Sequence, residues 1–216
     1  MGLLDRLLGR EPTTERRGED VAARMEALSQ LDDKWATETL RRRVRDVFFA
    51  VERSWIERDP AVEEPYMAAQ LAASQRLRIE GLVRQHRVHQ LENPLIEDLD
   101  FVAVEETPPR VTALLDMSMV EVILDDQTQA VVAGRPNQKV RRRQFWTFDW
   151  GDADWMLADV EQPDAGARHL TAPLVGGDFA ELSPEMILRE RYARGDIELD
   201  QFEREMAALL QRERTN

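Results

Sequence analysis

Arg141-Arg-Arg-Gln-Phe-Trp-Thr-Phe-Asp-Trp150 and, four residues later, Trp155-Met-Leu-Ala-Asp-Val160 are the segments that decide the fold. They hold three of the chain's five tryptophans, on two short runs joined by a turn-forming Gly-Asp-Ala-Asp. Successive side chains of an extended strand point to opposite faces. One face therefore carries Trp146, Phe148 and Trp150, while the other carries Arg141, Arg143, Phe145, Thr147 and Asp149. So much aromatic surface on one face requires a second layer of structure to cover it.

The upstream sequence is predicted to supply that layer as helices. Apolar residues recur at three- and four-residue steps from Val21 to about Arg58 and again from about Pro65 to His89. Asp32 or Asp33 is expected to interrupt the first run or to cap its second half. Pro60 and Pro94 are expected to end the two runs, because proline disfavours helical geometry in the residue before it.

Beyond Pro94 the apolar period changes to two, which is typical of strands. Five strands are predicted, at residues 95–104, 110–123, 130–133, 139–150 and 155–161. Turns are expected at residues 108–109, 125–128 and 134–137. Helices followed by an antiparallel meander predict an α+β fold, with N-terminal helices packed on a curved antiparallel sheet and a C-terminal two-helix tail.

The chain is predicted to have four segments. Residues 1–20 form a short amphipathic segment and a linker, residues 21–161 the α+β domain, residues 162–182 a second linker and residues 183–210 a helical hairpin. About 28 residues cannot bury enough surface to be stable alone. The tail is therefore expected to contact a partner protein or a second copy, and its candidate interface residues are Leu188, Tyr192, Ile197 and Phe202.

Composition excludes several classes of function. Cysteine is absent, which rules out disulfides and thiolate metal sites. The formal charge of -13 falls entirely on residues 59–216, with 17 basic against 30 acidic residues, so nucleic-acid binding is not expected. A basic cluster interrupts this acidic field and is interpreted as a solvated strand end or, alternatively, as a contact for lipid phosphates: Lys139, Arg141, Arg142 and Arg143.

The N-terminal residues carry a small apolar face. It consists of Leu3, Leu4, Leu7 and Leu8, which two helical turns would place together. This face suits peripheral contact with a membrane or a partner, although two turns bury little surface. No window approaches the roughly 18 consecutive apolar residues that a membrane span needs. A cytoplasmic location is expected, with peripheral association with the cytoplasmic face of the membrane as the alternative.

Residues 35–161 resemble the domain of the translocase-of-inner-membrane subunit 44 family, which also occurs in many bacterial proteins. The resemblance rests on Phe48 through Trp55-Ile-Glu-Arg-Asp59, on Asn93-Pro-Leu95, on Asp125 through Val131-Val-Ala-Gly134 and, above all, on Phe145-Trp-Thr-Phe148 followed by Trp155-Met-Leu157. It departs from the family at Gln144, where an acidic residue is usual, and just after Phe148, where Asp149-Trp150 replaces the usual arginine. It implies a cone-like fold of the nuclear-transport-factor-two type, with a binding or scaffolding role that is often membrane-associated.

The tail resembles the SHOCT family of short C-terminal domains. Arg191-Tyr-Ala-Arg-Gly-Asp-Ile197 and Phe202 carry that resemblance, whereas Glu198 stands where the family usually has a Thr, Ser or Asp cap. The resemblance implies oligomerisation or protein contacts and no enzymatic activity.

The leading hypothesis is a non-catalytic protein that holds an apolar or membrane-proximal ligand, or a polypeptide, in the cone. Its pocket candidates are Phe48, Trp55, Trp146, Phe148, Trp150 and Trp155. The same aromatic residues are alternatively interpreted as core. No catalytic residue, metal ligand or cofactor is predicted.

A small-molecule enzyme of the ketosteroid-isomerase type is the alternative function. It would need a pocket carboxylate and a hydrogen-bond donor for the developing oxyanion. Asp100, Asp116 and Asp149 lie on predicted strands, and Tyr66 and Tyr192 are the only tyrosines. His86 and His89, three residues apart on a predicted helix, resemble half of a metal site, but a surface or core-edge pair is the favoured interpretation.

Overall fold

The fold consists of three helices followed by a four-stranded antiparallel sheet, which confirms the predicted α+β class. The computed structural model describes residues 12–172, together with residues 174, 188, 197–198, 201–202 and 204–206. The helices are α1 (Pro12–Ser29), α2 (Thr37–Glu57) and α3 (Ala69–Arg84). The strands are β1 (Arg87–Glu106), β2 (Pro109–Asp125), β3 (Val131–Trp150) and β4 (Trp155–Glu161). Two short helices follow, α4 (Pro163–Gly166) and α5 (Arg168–Thr171).

The sheet is a meander in the order β1-β2-β3-β4, with every neighbouring pair antiparallel. Its two faces alternate as the sequence predicts. Trp146 and Phe148 lie in the large core cluster between helices and sheet, and Phe145 lies in a smaller cluster on the opposite face. Trp155 and Leu157 of β4 extend the helix-facing side. The helices therefore cover the aromatic face of β3.

The break between α1 and α2 lies where two aspartates interrupt the helical pattern. Asp32 caps a single 3-10 turn at Asp33–Trp35, because its carboxylate accepts a hydrogen bond from the backbone N–H of Lys34 at 3.0 Å. Trp35 on that turn is buried against the ring of Trp155, with centroids 5.1 Å apart. The capping aspartate thus directs an aromatic anchor into the core.

Residues 12–20 are helical, which corrects the prediction of a linker up to residue 20. The polar side chains of this part of α1 bind strand β1 and so hold the helix on the body. Arg17 Nε donates to Val102 O at 2.6 Å, and Arg24 forms an ion pair with Glu106 at 2.9 Å. Thr14 is buried as well. A short polar segment has a weak apolar period, so these contacts were not apparent from the pattern.

Strand β3 is continuous, whereas two strands separated by a turn were predicted over the same residues. At the position of the expected turn, the pairing between β2 and β3 is irregular. Val122 pairs with Gly134 and Val120 with Lys139, so four residues of β3 stand opposite Glu121 alone. Gly134 has a positive φ of 83°, and a Cβ there would lie 2.3 Å from Glu121 O. Only glycine fits this position without displacing backbone.

The second predicted helix ends earlier in the chain than expected, and the first strand also begins earlier. Helix α3 ends at Arg84, and β1 begins at Arg87 rather than at Leu95. His86 lies in the turn between them with a positive φ of 54°, and His89 is a strand residue. The two histidines therefore do not share a helix face, because the chain reverses direction between them.

The sheet face away from α1–α3 is covered by residues that were predicted to form a linker. Leu170 of α5 packs on a small cluster of Val102, Leu114 and Phe145. Gly166 of α4 lies directly on the ring of Phe145, since a Cβ there would come within 2.1 Å of Phe145 Cδ2. Residues 163–171 are therefore part of the folded body.

None of the helices in the described part of the chain is long and apolar enough to cross a bilayer. The N-terminal leucines and most of the predicted tail hairpin, including Tyr192, lie outside the described residues. Of the tail candidates inside them, Leu188 and Ile197 are buried and Phe202 is half-buried.

Candidate functional site

A cavity of about 1150 Å³ remains beside the core, between α2, α3 and the sheet. Its wall includes Val51 and Trp55 of α2, Leu71 of α3 and Trp146 of β3. It continues past the edge strand β4 to His169 of α5. Binding sites for small organic ligands commonly measure about 300–1,000 Å³. This cavity is therefore large enough for a drug-sized molecule or a short apolar segment of polypeptide.

The six aromatic pocket candidates divide between the cavity wall and the core. Trp55 and Trp146 line the cavity, although Trp146 is also part of the core and is only 2% exposed. Phe48, Phe148 and Trp155 are fully buried and do not contribute to its wall, and Trp150 packs against the core from a half-buried position. Two of these four pack on each other: Trp150 and Trp155 meet edge to face with centroids 5.4 Å apart. The candidate site therefore uses two of the six aromatic residues.

A group of four charged or titratable side chains lies on the cavity wall next to Trp55. Each comes from a different element: Glu52 from α2, His89 from β1, Glu121 from β2 and Arg142 from β3. His89 Nε2 lies 2.5 Å from one oxygen of Glu121, and Arg142 forms an ion pair with the other oxygen. Glu121 is thereby held from two sides. Its pKa is lowered, chiefly by the hydrogen bond with His89.

Glu52 is the exception in this group. Within residues 12–172 its carboxylate has neither a hydrogen bond nor an ion pair, and it interacts with His89, Arg142 and Glu121 only at longer range. Burial raises its pKa from 4.5 to about 7 despite the attraction of His89 and Arg142. Of the four side chains next to Trp55, Glu52 is therefore the carboxyl group that the described chain leaves without a counter-ion.

His89 is oriented by its neighbours on both sides of the ring. Its ring meets that of Trp55 nearly at right angles, with centroids 5.7 Å apart, and its side chain is 12% exposed. Nδ1 is buried without a hydrogen-bond partner. Since Nε2 is engaged by Glu121, the neutral tautomer with its hydrogen on Nε2 avoids burying an unpaired N–H.

Carboxylates neutralise three of the four basic candidates on β3. Lys139 pairs with Glu97 at 2.8 Å, Arg143 with Asp116 at 2.7 Å and Arg142 with Glu121. Arg141 is exposed. Arg142 faces the cavity, whereas Arg143 and Asp116 lie on the opposite face of the sheet. The cluster is thus split between two faces, because side chains alternate along a strand.

The residues considered for catalysis do not come together. Asp116 is paired with Arg143, and Asp149 accepts two hydrogen bonds from Arg110 at 2.6 and 3.0 Å. Asp100 lies beside Gly18 of α1, and the ring of Tyr66 lies 4.8 Å from the guanidinium of Arg43. Only Asp149 of these lines the cavity.

Glu52 and Glu121 were not predicted from the sequence, and His89 was considered only as half of a metal site on a helix. A signal for Glu52 was present: it lies four residues after Phe48 and three before Trp55, so an acidic residue interrupts the apolar stripe of a helix. His89 and Glu121 had no local signal, because their partnership depends on strand pairing between β1 and β2.

The arrangement is suited to binding a ligand that combines an apolar body with a polar end. Trp55 lies three residues after Glu52 on α2, and Trp146 lines the same cavity from β3. No set of three or more His, Asp or Glu side chains suited to a metal ion occurs among the described residues. Within the described part of the chain, the cavity wall can therefore contact a ligand through apolar side chains and through charged side chains.

Comparison with known families gives one match. The profile of the Tim44-like domain family matches residues 21–162, which include the second half of α1, α2, α3 and the whole sheet. Among curated proteins, none matches the chain significantly.

Several solved structures are similar at low sequence identity. The intermembrane-space region of the chloroplast protein ARC6 aligns with 12% identity and a TM-score of 0.44, over 58% of this chain and 94% of that one. A putative polyketide cyclase from Xanthomonas campestris pv. campestris aligns with 15% identity and a TM-score of 0.31, over 55% and 91%. AclR, a putative hydroxylase from Streptomyces galilaeus, aligns with 11% identity and a TM-score of 0.29, over 67% and 96%.

Proposed function

Because the chain belongs to the Tim44-like domain family, we propose that it is a non-catalytic binding protein that holds an apolar ligand or polypeptide segment in the cavity under α2 and α3. The observation that carries this proposal is the cavity itself, about 1150 Å³ in volume and bounded by Trp55, Leu71 and Trp146. Aromatic side chains supply large contact areas in binding sites. The ligand would cover apolar surface that neither the helices nor the sheet covers.

Filling the cavity from α3 tests the proposal. Ser74 lines the cavity, whereas the neighbouring Ala73 is exposed and points away from it. We expect Ser74→Phe to weaken binding of the neutral probe N-phenyl-1-naphthylamine at least tenfold, which corresponds to about 1.4 kcal/mol. Ala73→Phe should leave binding within twofold. The readout is the rise in probe fluorescence on titration.

Equal binding by both variants would place the probe elsewhere and contradict the proposal. Absence of probe binding by the unmodified chain would contradict it as well. Once binding is established, competition by a fatty acid and by an apolar peptide distinguishes an acyl chain from a polypeptide segment as the occupant.

Proton transfer on a bound small molecule is the second candidate function. It is favoured by Glu52, because a carboxyl group with a pKa of about 7 suits a general base at neutral pH. The donors beside it are already engaged: Arg142 pairs with Glu121, and Trp146 Nε1 donates to Gln144 at 3.1 Å. A site without a donor aimed at the developing oxyanion lacks the larger part of such catalysis. Solvent-deuterium exchange into a bound ketone, lost in Glu52→Gln, is the measurement that would identify this function.

We propose further that the two ends of the chain attach the binding domain to its surroundings. The leucines at positions 3, 4, 7 and 8 would contact a membrane, and the SHOCT-like tail would associate with a second copy or another protein. The family resemblances and the small size of the tail support this part. Leu174 packs on the main core. The predicted tail begins at Ser183, nine residues later in the sequence.

Two shortened chains test the ends. A chain beginning at Glu11 keeps all of α1, and we expect it to lose co-sedimentation with cardiolipin-containing vesicles that the full chain shows. A chain ending at Asp178 keeps Leu174, and we expect it to have a lower mass in light scattering. Unchanged vesicle binding would exclude the N-terminal contact, and an unchanged mass would exclude self-association through the tail. The two results are independent of each other.

A further inference from the structure

Several of the carboxylates around the cavity are held by basic side chains. The carboxylate of Glu121 is shared by Arg142 and His89, and that of Asp149 is held by Arg110. Farther along the wall, Glu161 pairs with Arg168 and His169. Glu52 alone among the carboxylates in contact with the Trp55 end of the cavity has no hydrogen bond or ion pair within residues 12–172. A buried carboxylate without a partner is costly unless it is protonated or meets a cation.

We propose that the cavity binds an apolar ligand that carries a protonated amine, with the ammonium group against Glu52 and the apolar body against Trp55 and Trp146. The proposal rests on the proposed binding function and names the chemical class of the ligand. A primary ammonium on an apolar body occurs in free alkylamines and in a lysine side chain of an apolar peptide. The experiment below distinguishes these two sources.

The geometry favours a cation over an anion. An anionic head group would face Glu52 and would have to compete with Glu121 for Arg142, which that carboxylate already holds. An ammonium group would pair with the carboxylate of Glu52. It could also lie on the face of an indole ring, and that second contact contributes about 0.5–2 kcal/mol. The polar residues that α3 contributes to the wall are Gln70, Ser74, Gln75 and Arg78. Arg78 Nη1 donates to Gln75 Oε1 at 3.3 Å, and none of the four is among the groups whose charge acts on Glu52.

Cation binding should be coupled to proton release. The pKa of Glu52 is about 7 in the free protein because of burial. An ammonium beside it favours the ionised form, so binding near pH 7 expels a proton. Affinity should therefore rise as pH increases from 5.5 to 8. The charged or titratable side chains that face Glu52 are His89, Arg142 and Glu121, and a Glu52 variant that retains all three isolates the contribution of Glu52.

The test compares hexylamine with 1-hexanol, which share the alkyl chain, by calorimetric titration of the full chain at pH 8. We expect hexylamine to bind more tightly than hexanol and Glu52→Gln to weaken hexylamine about tenfold while hexanol changes less than twofold. The pH dependence should disappear in that variant. Glu57→Gln, on an exposed position of the same helix, is the matched control and should bind both compounds as the unmodified chain does.

A peptide arm identifies the source of the amine. An apolar heptapeptide with one central lysine is compared with the same peptide carrying acetyl-lysine. Preference for the lysine peptide that is lost in Glu52→Gln supports a polypeptide occupant, and preference for hexylamine alone supports a small amine. Equal affinity for amine and alcohol, or an amine affinity unaffected by Glu52→Gln, overturns the inference while leaving the cavity-binding function intact. If neither the compounds nor the peptides bind, the proposed function fails as well.

Discussion

Replacing Glu63 with glutamine should stabilise the protein by about 1–3 kcal/mol at pH 8 and leave its stability unchanged at pH 4. Glu63 is fully buried on the turns between α2 and α3. Neither of its carboxylate oxygens has a hydrogen-bond partner. The Ser54 hydroxyl lies beside it but donates to the backbone oxygen of Asp59 at 2.9 Å. An ionised carboxylate at this position is therefore unfavourable.

The sign of the effect follows from the direction of the pKa shift. Burial raises the pKa of Glu63 from 4.5 to about 7 in the folded chain. Below pH 4.5 the group is protonated in both the folded and the unfolded state, so it contributes nothing to the pH dependence. Between pH 4.5 and 7 only the folded state keeps the proton, and stability falls as pH rises. Above pH 7 the full penalty applies, about 3 kcal/mol for this shift.

Glutamine removes the charge at nearly constant shape, but its amide is also buried and polar, so the expected gain is smaller than the penalty. Urea denaturation, followed by tryptophan fluorescence at pH 4 and pH 8, measures this gain in the free energy of unfolding. Glu38→Gln, at a largely exposed position on α2, should change the free energy of unfolding by less than about 0.5 kcal/mol at both pH values. A gain for Glu63→Gln that is the same at pH 4 and pH 8 would show that ionisation is not the cause.

Trp155→Ala is expected to lower the free energy of unfolding by about 3–5 kcal/mol. The side chain is 1% exposed and meets the rings of Trp35 and Trp150 edge to face. Its Nε1 donates to Lys34 O at 2.9 Å, which fastens the turn between α1 and α2 to strand β4. The alanine variant loses the aromatic volume and leaves a backbone carbonyl without its donor. Both losses fall at the junction of helices and sheet.

Trp155→Phe separates the two losses. Phenylalanine keeps much of the aromatic volume but cannot donate the hydrogen bond to Lys34 O. We expect an intermediate destabilisation. Trp55→Ala is the matched cavity variant: it should reduce ligand binding while costing less stability, since Trp55 is only half-buried. A loss of less than about 1 kcal/mol for Trp155→Ala would contradict a core role for this residue.

The aromatic strand was predictable because its information is local. Alternation along residues 145–150 assigns Phe145 to one face and Trp146 to the other, and the structure places them in separate clusters. The two helical runs and their interruption at Asp32 follow in the same way from apolar spacing and capping. These features require only residues within a few positions of each other.

Other features depend on residues far apart in the chain. Helix α1 was missed at its start because Arg17 is held by Val102, 85 residues later. His89 was assigned to a helix because nothing near it indicates that its partner is Glu121, 32 residues away on the neighbouring strand. The candidate site consists of such contacts, which explains why Trp55 and Trp146 were predicted as pocket residues whereas Glu52 and Glu121 were not.

Strand β4 covers only part of the outer edge of β3. It pairs with Phe145–Trp150 and leaves residues 131–144 without a strand on that side within the described chain. The unpaired backbone groups of such an edge can pair with a strand of another molecule, which promotes aggregation. Here the edge carries Lys139 and Arg141–Arg143 and the four-residue irregularity containing Pro136. Antiparallel addition of a second copy would set arginine against arginine, and proline cannot donate to a ladder. The sheet thus has protection against pairing with a second copy at this open edge of β3.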